Sequence, residues 1–210
     1  MWAGMARCAV PAHVQRAERM TDDDRINVAP LNAALDDGAA RRPYHDIAFV
    51  ALGSNIGDPH RHVRGAIARM RELSAAPLLE SSLWETSPVD CPPGSPVFIN
   101  AVVGLVPCQG ESPESLLAKL QALEKEFGRQ LKKVLNEPRP LDLDLIAFGD
   151  ESRNSKELVL PHPRAHQRRF VMEPLREIAP DFILPGQTEN VSELLRDLPP
   201  DSGMRRIADE

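Results

Sequence analysis

Two apolar periods alternate along this chain. From Ile47 to Leu52 the residues are continuously apolar and run into Gly53, Ser54 and Asn55, the pattern of a buried strand entering a turn. From Pro59 the period lengthens: Val63, Ala66, Ile67, Met70 and Leu73 recur at three- and four-residue steps, with Arg61, Arg64, Arg69 and Arg71 between them, which predicts an amphipathic helix. LLESSLWETSP predicts a second strand closed by Pro88, the Pro- and Gly-rich VDCPPGSP a stiff loop, and VFINAVVGLV a third strand. Ser112 then caps a helix with Pro113 at its first position, and Leu116, Leu120, Leu123 and Phe127 form one stripe ended by Gly128. A fourth strand follows in PRPLDLDLIAFGD, turned by Gly149 and Asp150, and ELVLPHP is a short apolar piece stopped by prolines.

The order strand, helix, strand, strand, helix, strand predicts an α+β fold: a ferredoxin-like antiparallel sheet backed by two helices. A C-terminal αβ extension adds a helix near Met172 to Ile178, the piece FILP, and a helix near Val191 to Leu198. Residues 1–44 hold TDDD, DDG and ARRP without a sustained period and are expected to form a disordered extension, with Met20 an alternative start. Residues 45–200 are expected to form a single domain and 201–210 a frayed tail.

Composition narrows the class. At 210 residues, 42% hydrophobic and 27% charged, the chain can fill one core. Its net charge of −6 argues against nucleic acid or an anionic membrane as partner, so an anionic substrate must meet a local basic cluster. Cys8, Cys91 and Cys108 support neither a disulfide framework nor a zinc site, and a reducing, cytoplasmic location is expected. No apolar run approaches the ~18 residues of a membrane span.

Against this background Asp142 and Asp144 stand out, because aspartate is disfavoured in strands. Residues two apart share a face and lie about 7 Å from each other, so both carboxylates point away from Leu141, Leu143 and Leu145. Such a pair is either a solvated face or a site for one or two Mg²⁺ ions completed by water and phosphate oxygens. Basic islands bracket it: Arg129, Lys132, Lys133 and Arg139 before, and His162, Arg164, His166, Arg168 and Arg169 after, although for Lys132, Lys133, Arg164 and Arg169 a solvated surface is the favoured reading. Acid between basic segments suits phosphoryl transfer, with metal on the polyphosphate and guanidinium groups on developing charge. Neither a GxxxxGK[ST] loop nor a kinase GxGxxG is present, and no serine or cysteine has a recognisable base. Phe98 and Asn100 share a face of the third strand, where a ring and an amide can take a flat heterocycle.

Taken together, VALGSNIGDP, LWETSPVD, FINAVV, LEKEFGR, PRPLDLDLIAFGD, LVLPHPRAHQRRFVMEPL and EIAPDF closely resemble the 6-hydroxymethyl-7,8-dihydropterin pyrophosphokinase family of folate biosynthesis. The resemblance implies transfer of pyrophosphate from ATP to the pterin hydroxymethyl group, release of AMP, and two Mg²⁺ ions. It implies that Asp142 and Asp144 hold the metals and that Arg129 and Arg139 are the catalytic arginines. It implies nucleotide contacts from Gln121, Glu124, His162 and Arg168. Phe98 and Phe170 would sandwich the pterin, with Asn100, Thr86 and Val89 reading its edge. The chain departs from the family in RQLKKVLNEPR, where Leu131 stands for an arginine and Asn136 and Glu137 for a Trp-Gly pair; weaker ATP binding is expected unless Lys132 or Lys133 compensates. A monomer acting on small molecules is expected. The rivals are a degenerate ferredoxin-like module that binds pterin or nucleotide without turnover, and a Mg²⁺-dependent phosphohydrolase.

Overall fold

The computed structural model describes residues 44–88, 94–129 and 138–208. Strand β1 (Ala48–Ser54) lies between β4 (Phe98–Leu105) and β5 (Asp142–Phe148), antiparallel to both, and with β3 (Trp84–Thr86) and β8 (Arg205–Arg206) the sheet runs β5-β1-β4-β3-β8. The expected second strand is present in two pieces, β2 (Leu79–Glu80) and β3 (Trp84–Thr86), both paired with β4. The break has a local cause. The Ser81 hydroxyl accepts the Val102 amide at 2.9 Å while the Ser81 amide donates to the Val102 carbonyl at 3.0 Å, so a side chain replaces one rung of the ladder.

Helices α1 (Pro59–Met70) and α2 (Pro113–Glu126) cover one face. Asp58 caps α1 by accepting the Arg61 amide, and Ser112 caps α2 in a reciprocal box with Ser115. Alternation sorts the strand residues. Ala48, Val50 and Leu52 of β1, Ile99, Ala101, Val103 and Leu105 of β4, and Leu143 and Leu145 of β5 pack against Val63, Ile67, Met70, Leu116, Leu120 and Leu123.

The other face is covered over only part of its length. Helices α3 (Arg169–Ile178) and α4 (Val191–Asp197) place Val171, Met172, Leu175, Ile178, Val191 and Leu195 against Phe49, Val102 and Ile146. A shift of register between Phe49 and Val50 turns Ile146 and Ala147 both into this second core. Short strands β6 (Arg153–Asn154) and β7 (Val159–Leu160) form a separate pair. The face left open by α3 carries the remaining outward positions of β1, β3, β4 and β5.

Three expectations change. Tyr44, placed by the sequence reading in the extension, is buried with Phe49 and Phe182; residues 1–43 lie outside the described residues. The tail expected to fray instead forms β8 (Arg205–Arg206) beside β3, with the Ile207 amide on the Leu83 carbonyl at 2.8 Å. Paired backbone and the Arg205–Glu85 ion pair hold it there, neither of which local composition reveals. Finally, Cys108 is disulfide-bonded, against the expectation drawn from cysteine spacing, which reads frameworks and misses a single bridge. Among the described residues no helix is long and apolar enough to cross a membrane.

Candidate active site

On the open face the pleat and the register do the assembly. Gly53 stands opposite Asp142 on one side and Asn100 on the other, and Ala51 stands opposite Asp144. These small residues form a floor between an acidic strand and an amide-bearing one. A Cβ on Gly53 would sit 3.0 Å from Asn100 Oδ1, so any larger residue here makes that amide give way by a few tenths of an ångström. One strand further, Trp84 pairs with Asn100 and Thr86 with Phe98. Asn100 Nδ2 donates to Thr86 Oγ1 at 2.8 Å, which fixes the amide's orientation in a buried position.

The roof comes from the segment after β7. The Leu160–Pro161 peptide is cis, and the His162 amide donates to the Ile146 carbonyl at 2.8 Å, which moors this segment to β5 beside Asp144. A short 3₁₀ turn, Ala165–Gln167, then delivers Arg168 and Phe170 at the start of α3, with the Arg168 guanidinium carbon 5.5 Å from the Phe170 ring centre. Floor and roof enclose a cavity of about 460 Å³ lined by Gly53, Thr86, Phe98, Asn100, Arg139, Asp142, Asp144, His162, Arg168 and Phe170, together with Ser87, Arg164 and Gln167.

Asp142 is already engaged. Arg129 Nη1 reaches its Oδ1 at 2.5 Å and Arg139 Nη1 its Oδ2 at 3.0 Å. Arg129 also donates to Glu124, a buried carboxylate on α2 that accepts the Leu143 amide at 2.7 Å. Burial pushes the Glu124 carboxyl up to about 7, against the pull of the Leu143 amide and the Arg129 guanidinium. Arg139 is fixed through its backbone, which exchanges two hydrogen bonds with Asn55: its amide donates to Asn55 Oδ1 at 2.8 Å, and its carbonyl accepts the Asn55 amide at 3.2 Å. Asn55 belongs to the turn after β1.

Asp144 is different. Among the described residues the cation that reaches it is Arg168, at 3.9 Å, and 41% of its side chain is exposed. Desolvation first, then the charge of Asp142, raises its proton affinity, with His162, Arg168 and Arg139 opposing. Burial lowers His162 against the attraction of Asp144. Among the described residues Asp144 is thus the less closely paired of the two carboxylates. Among the described residues no cluster of three or more His, Cys, Asp or Glu side chains is placed to hold a metal. A hard cation fits this donor set only as Mg²⁺ is usually held, by one or two carboxylates with the shell completed by water and phosphate oxygens.

The structure thus gathers Asp142, Asp144, Arg139, His162, Arg168, Thr86, Phe98, Asn100 and Phe170 around one cavity, with Arg129 touching it through Asp142. Glu124 lies behind Arg129, and Gln121 is exposed on α2; neither lines the cavity. Val89, Leu131, Lys132, Lys133, Asn136 and Glu137 lie outside the described residues. Arg164, favoured as solvated surface, faces the cavity because the 3₁₀ turn starts at it; a linear charge pattern carries no such direction.

Comparison with known proteins gives the family and the fold. The family model for 7,8-dihydro-6-hydroxymethylpterin-pyrophosphokinase matches residues 49–180. A 2-amino-4-hydroxy-6-hydroxymethyldihydropteridine pyrophosphokinase of Synechocystis sp. is 40% identical over 149 residues, covering 70% of this chain and 74% of that one. The folic acid synthesis protein fol1 of Pneumocystis carinii is 36% identical over 67% of this chain, which spans only 18% of that longer relative. In fold, a Plasmodium falciparum HPPK-DHPS crystal structure superposes with a TM-score of 0.58 at 12% identity, over 76% of this chain and 47% of that one. By the matched segment and the identity to its relatives, the chain belongs to the 7,8-dihydro-6-hydroxymethylpterin-pyrophosphokinase family.

Proposed function

We infer that the chain transfers pyrophosphate from ATP to the hydroxymethyl group of 6-hydroxymethyl-7,8-dihydropterin, releasing AMP. The pterin hydroxyl oxygen bonds to the β-phosphorus of ATP, the bond from that phosphorus to the α,β-bridging oxygen breaks, AMP leaves with the electron pair, and the hydroxyl proton passes to solvent. One observation carries the reading: a single cavity holds an acid pair with cationic neighbours at one end and two phenylalanines with an oriented amide at the other. A hydrolase of simple phosphates has no use for the second half.

In this reading Phe98 and Phe170 take the faces of the heterocycle, and Asn100, held by Thr86, reads its edge, with Val89 assigned to the same loop. Asp142 and Asp144 would hold the Mg²⁺ ions, which when bound neutralise the polyphosphate and favour the alkoxide form of the attacking hydroxyl. Arg129 and Arg139 stand against Asp142 and are placed to meet charge on the transferred group; His162 and Arg168 contact the nucleotide phosphates, and Gln121 and Glu124 border the nucleotide. Positioning of two substrates and fixed charge account for the rate, without a covalent intermediate. The enzyme is taken as a cytoplasmic monomer whose catalytic domain spans residues 45–200.

The test is to mix purified protein, Mg²⁺, ATP and the pterin and identify the nucleotide formed. AMP with a pterin diphosphate is expected; ADP or free phosphate would point to an ordinary kinase or a hydrolase, and pterin binding without turnover to a degenerate module. Asp144→Ala is expected to abolish turnover and leave pterin affinity, measured by fluorescence titration, within about twofold of the parent, because Asp144 lies on the metal side of the cavity.

A further inference from the structure

The cationic groups of the cavity are not alike. Arg129 and Arg139 are spent on Asp142, and Arg168 lies near Asp144. Arg164 has no ion pair among the described residues, and its side chain is exposed at the cavity wall. Its position is set by the backbone: it precedes the 3₁₀ turn Ala165–Gln167, and its amide donates to His162 Nδ1 at 3.3 Å. Its charge is felt by Arg168, whose guanidinium is lowered by burial first and by Arg164 next, and by His162, which Arg164 also disfavours in the charged form. Two guanidinium groups that line one cavity, with Arg168 disfavoured by the charge of Arg164, call for an anion beside them.

Their place identifies which anion. Arg168 stands between Asp144 and the ring of Phe170, at the pterin end of the polyphosphate path, and Arg164 lines the same cavity four residues before it. There the β- and γ-phosphates arrive, and there they remain after transfer. We propose that Arg164 and Arg168 form a two-guanidinium clamp on the transferred diphosphate, so that Arg164 selects for the triphosphate over AMP and retains the pterin diphosphate while AMP departs. The inference rests on the pyrophosphokinase reading and deepens it, since it assigns Arg164 to the moving group and away from the leaving nucleotide.

The test uses Arg164→Gln, Arg164→Lys and the parent enzyme, with α,β-methylene-ATP, whose α,β linkage cannot be broken, and AMP as calorimetric probes in Mg²⁺. Arg164→Gln is expected to lose about tenfold in affinity for the triphosphate analogue, the scale of one exposed charge-assisted contact, with AMP affinity within about twofold. Arg164→Lys should recover part of the loss, and release of pterin diphosphate, followed by stopped-flow fluorescence, should quicken in Arg164→Gln. Equal affinity of parent and Arg164→Gln for the analogue, or an equal loss for analogue and AMP, overturns the clamp while leaving turnover by the parent intact. Failure of the parent to make AMP from ATP and pterin removes the underlying reading instead, and with it the transferred group that Arg164 is assigned to hold.

Discussion

At the scale of single residues the site depends on what is small as much as on what is charged. Gly53 sits between Asp142 and Asn100, and an added Cβ would meet Asn100 Oδ1 at 3.0 Å and Phe98 Cδ1 at 4.0 Å. Gly53→Ala should therefore turn the amide that Thr86 holds, raising KM for pterin about tenfold at little change in KM for ATP; unchanged pterin kinetics would show that Asn100 has room to yield. Glu124 carries a pH signature. Its carboxyl rises from 4.5 to about 7 on folding, so the folded state binds this proton more tightly and the group's contribution to stability is full below pH 4.5 and lost as pH rises to about 7. Glu124→Gln removes that slope. The stability of parent minus variant, from denaturant midpoints, should fall by up to about 3 kcal/mol across this window and then level. A flat difference would mean that Arg129 keeps Glu124 ionised throughout.

At the scale of elements, the helical face was legible because its period is strict. Val63, Ala66, Ile67 and Met70, and Leu116, Leu120 and Leu123, are the buried faces of α1 and α2, as their spacing requires. Leu120 is fully buried, and Leu120→Ala should cost about 2–5 kcal/mol in urea unfolding. The alternation of β5 was legible for the same reason: Leu143 and Leu145 pack under the helices and Asp142 and Asp144 face the cavity. The second strand was legible only as a run. Its division at Ser81 depends on a hydroxyl bonded to Val102, a residue from another strand, and no local propensity encodes that partner. β8 was missed for a like reason, since two exposed arginines become a strand only against β3.

At the scale of the whole molecule, an acidic chain presents a local basic wall, and the two have separate consequences. Arg139, Arg164, Arg168 and His162 meet the cavity in a protein of net charge −6. Long-range repulsion and local attraction of ATP are both screened by salt, but the exposed local contacts are closest. KM for ATP should therefore rise between 50 and 500 mM KCl, as the Debye length shrinks to a few ångströms, while KM for the uncharged pterin stays within about twofold. A salt-independent KM for ATP would place the nucleotide away from these groups. The sequence by itself determined the order of elements, the buried faces, the acid pair on one side of a strand and the family, because each is written in residue type and short-range period. Only the tertiary structure decided which cations reach the pair, that Asp142 is held by Arg129 and Arg139 while Asp144 stays open, and that Arg164 lines the cavity wall. Those depend on contacts between segments far apart in the chain, where the energy of a charge is set by what else surrounds it.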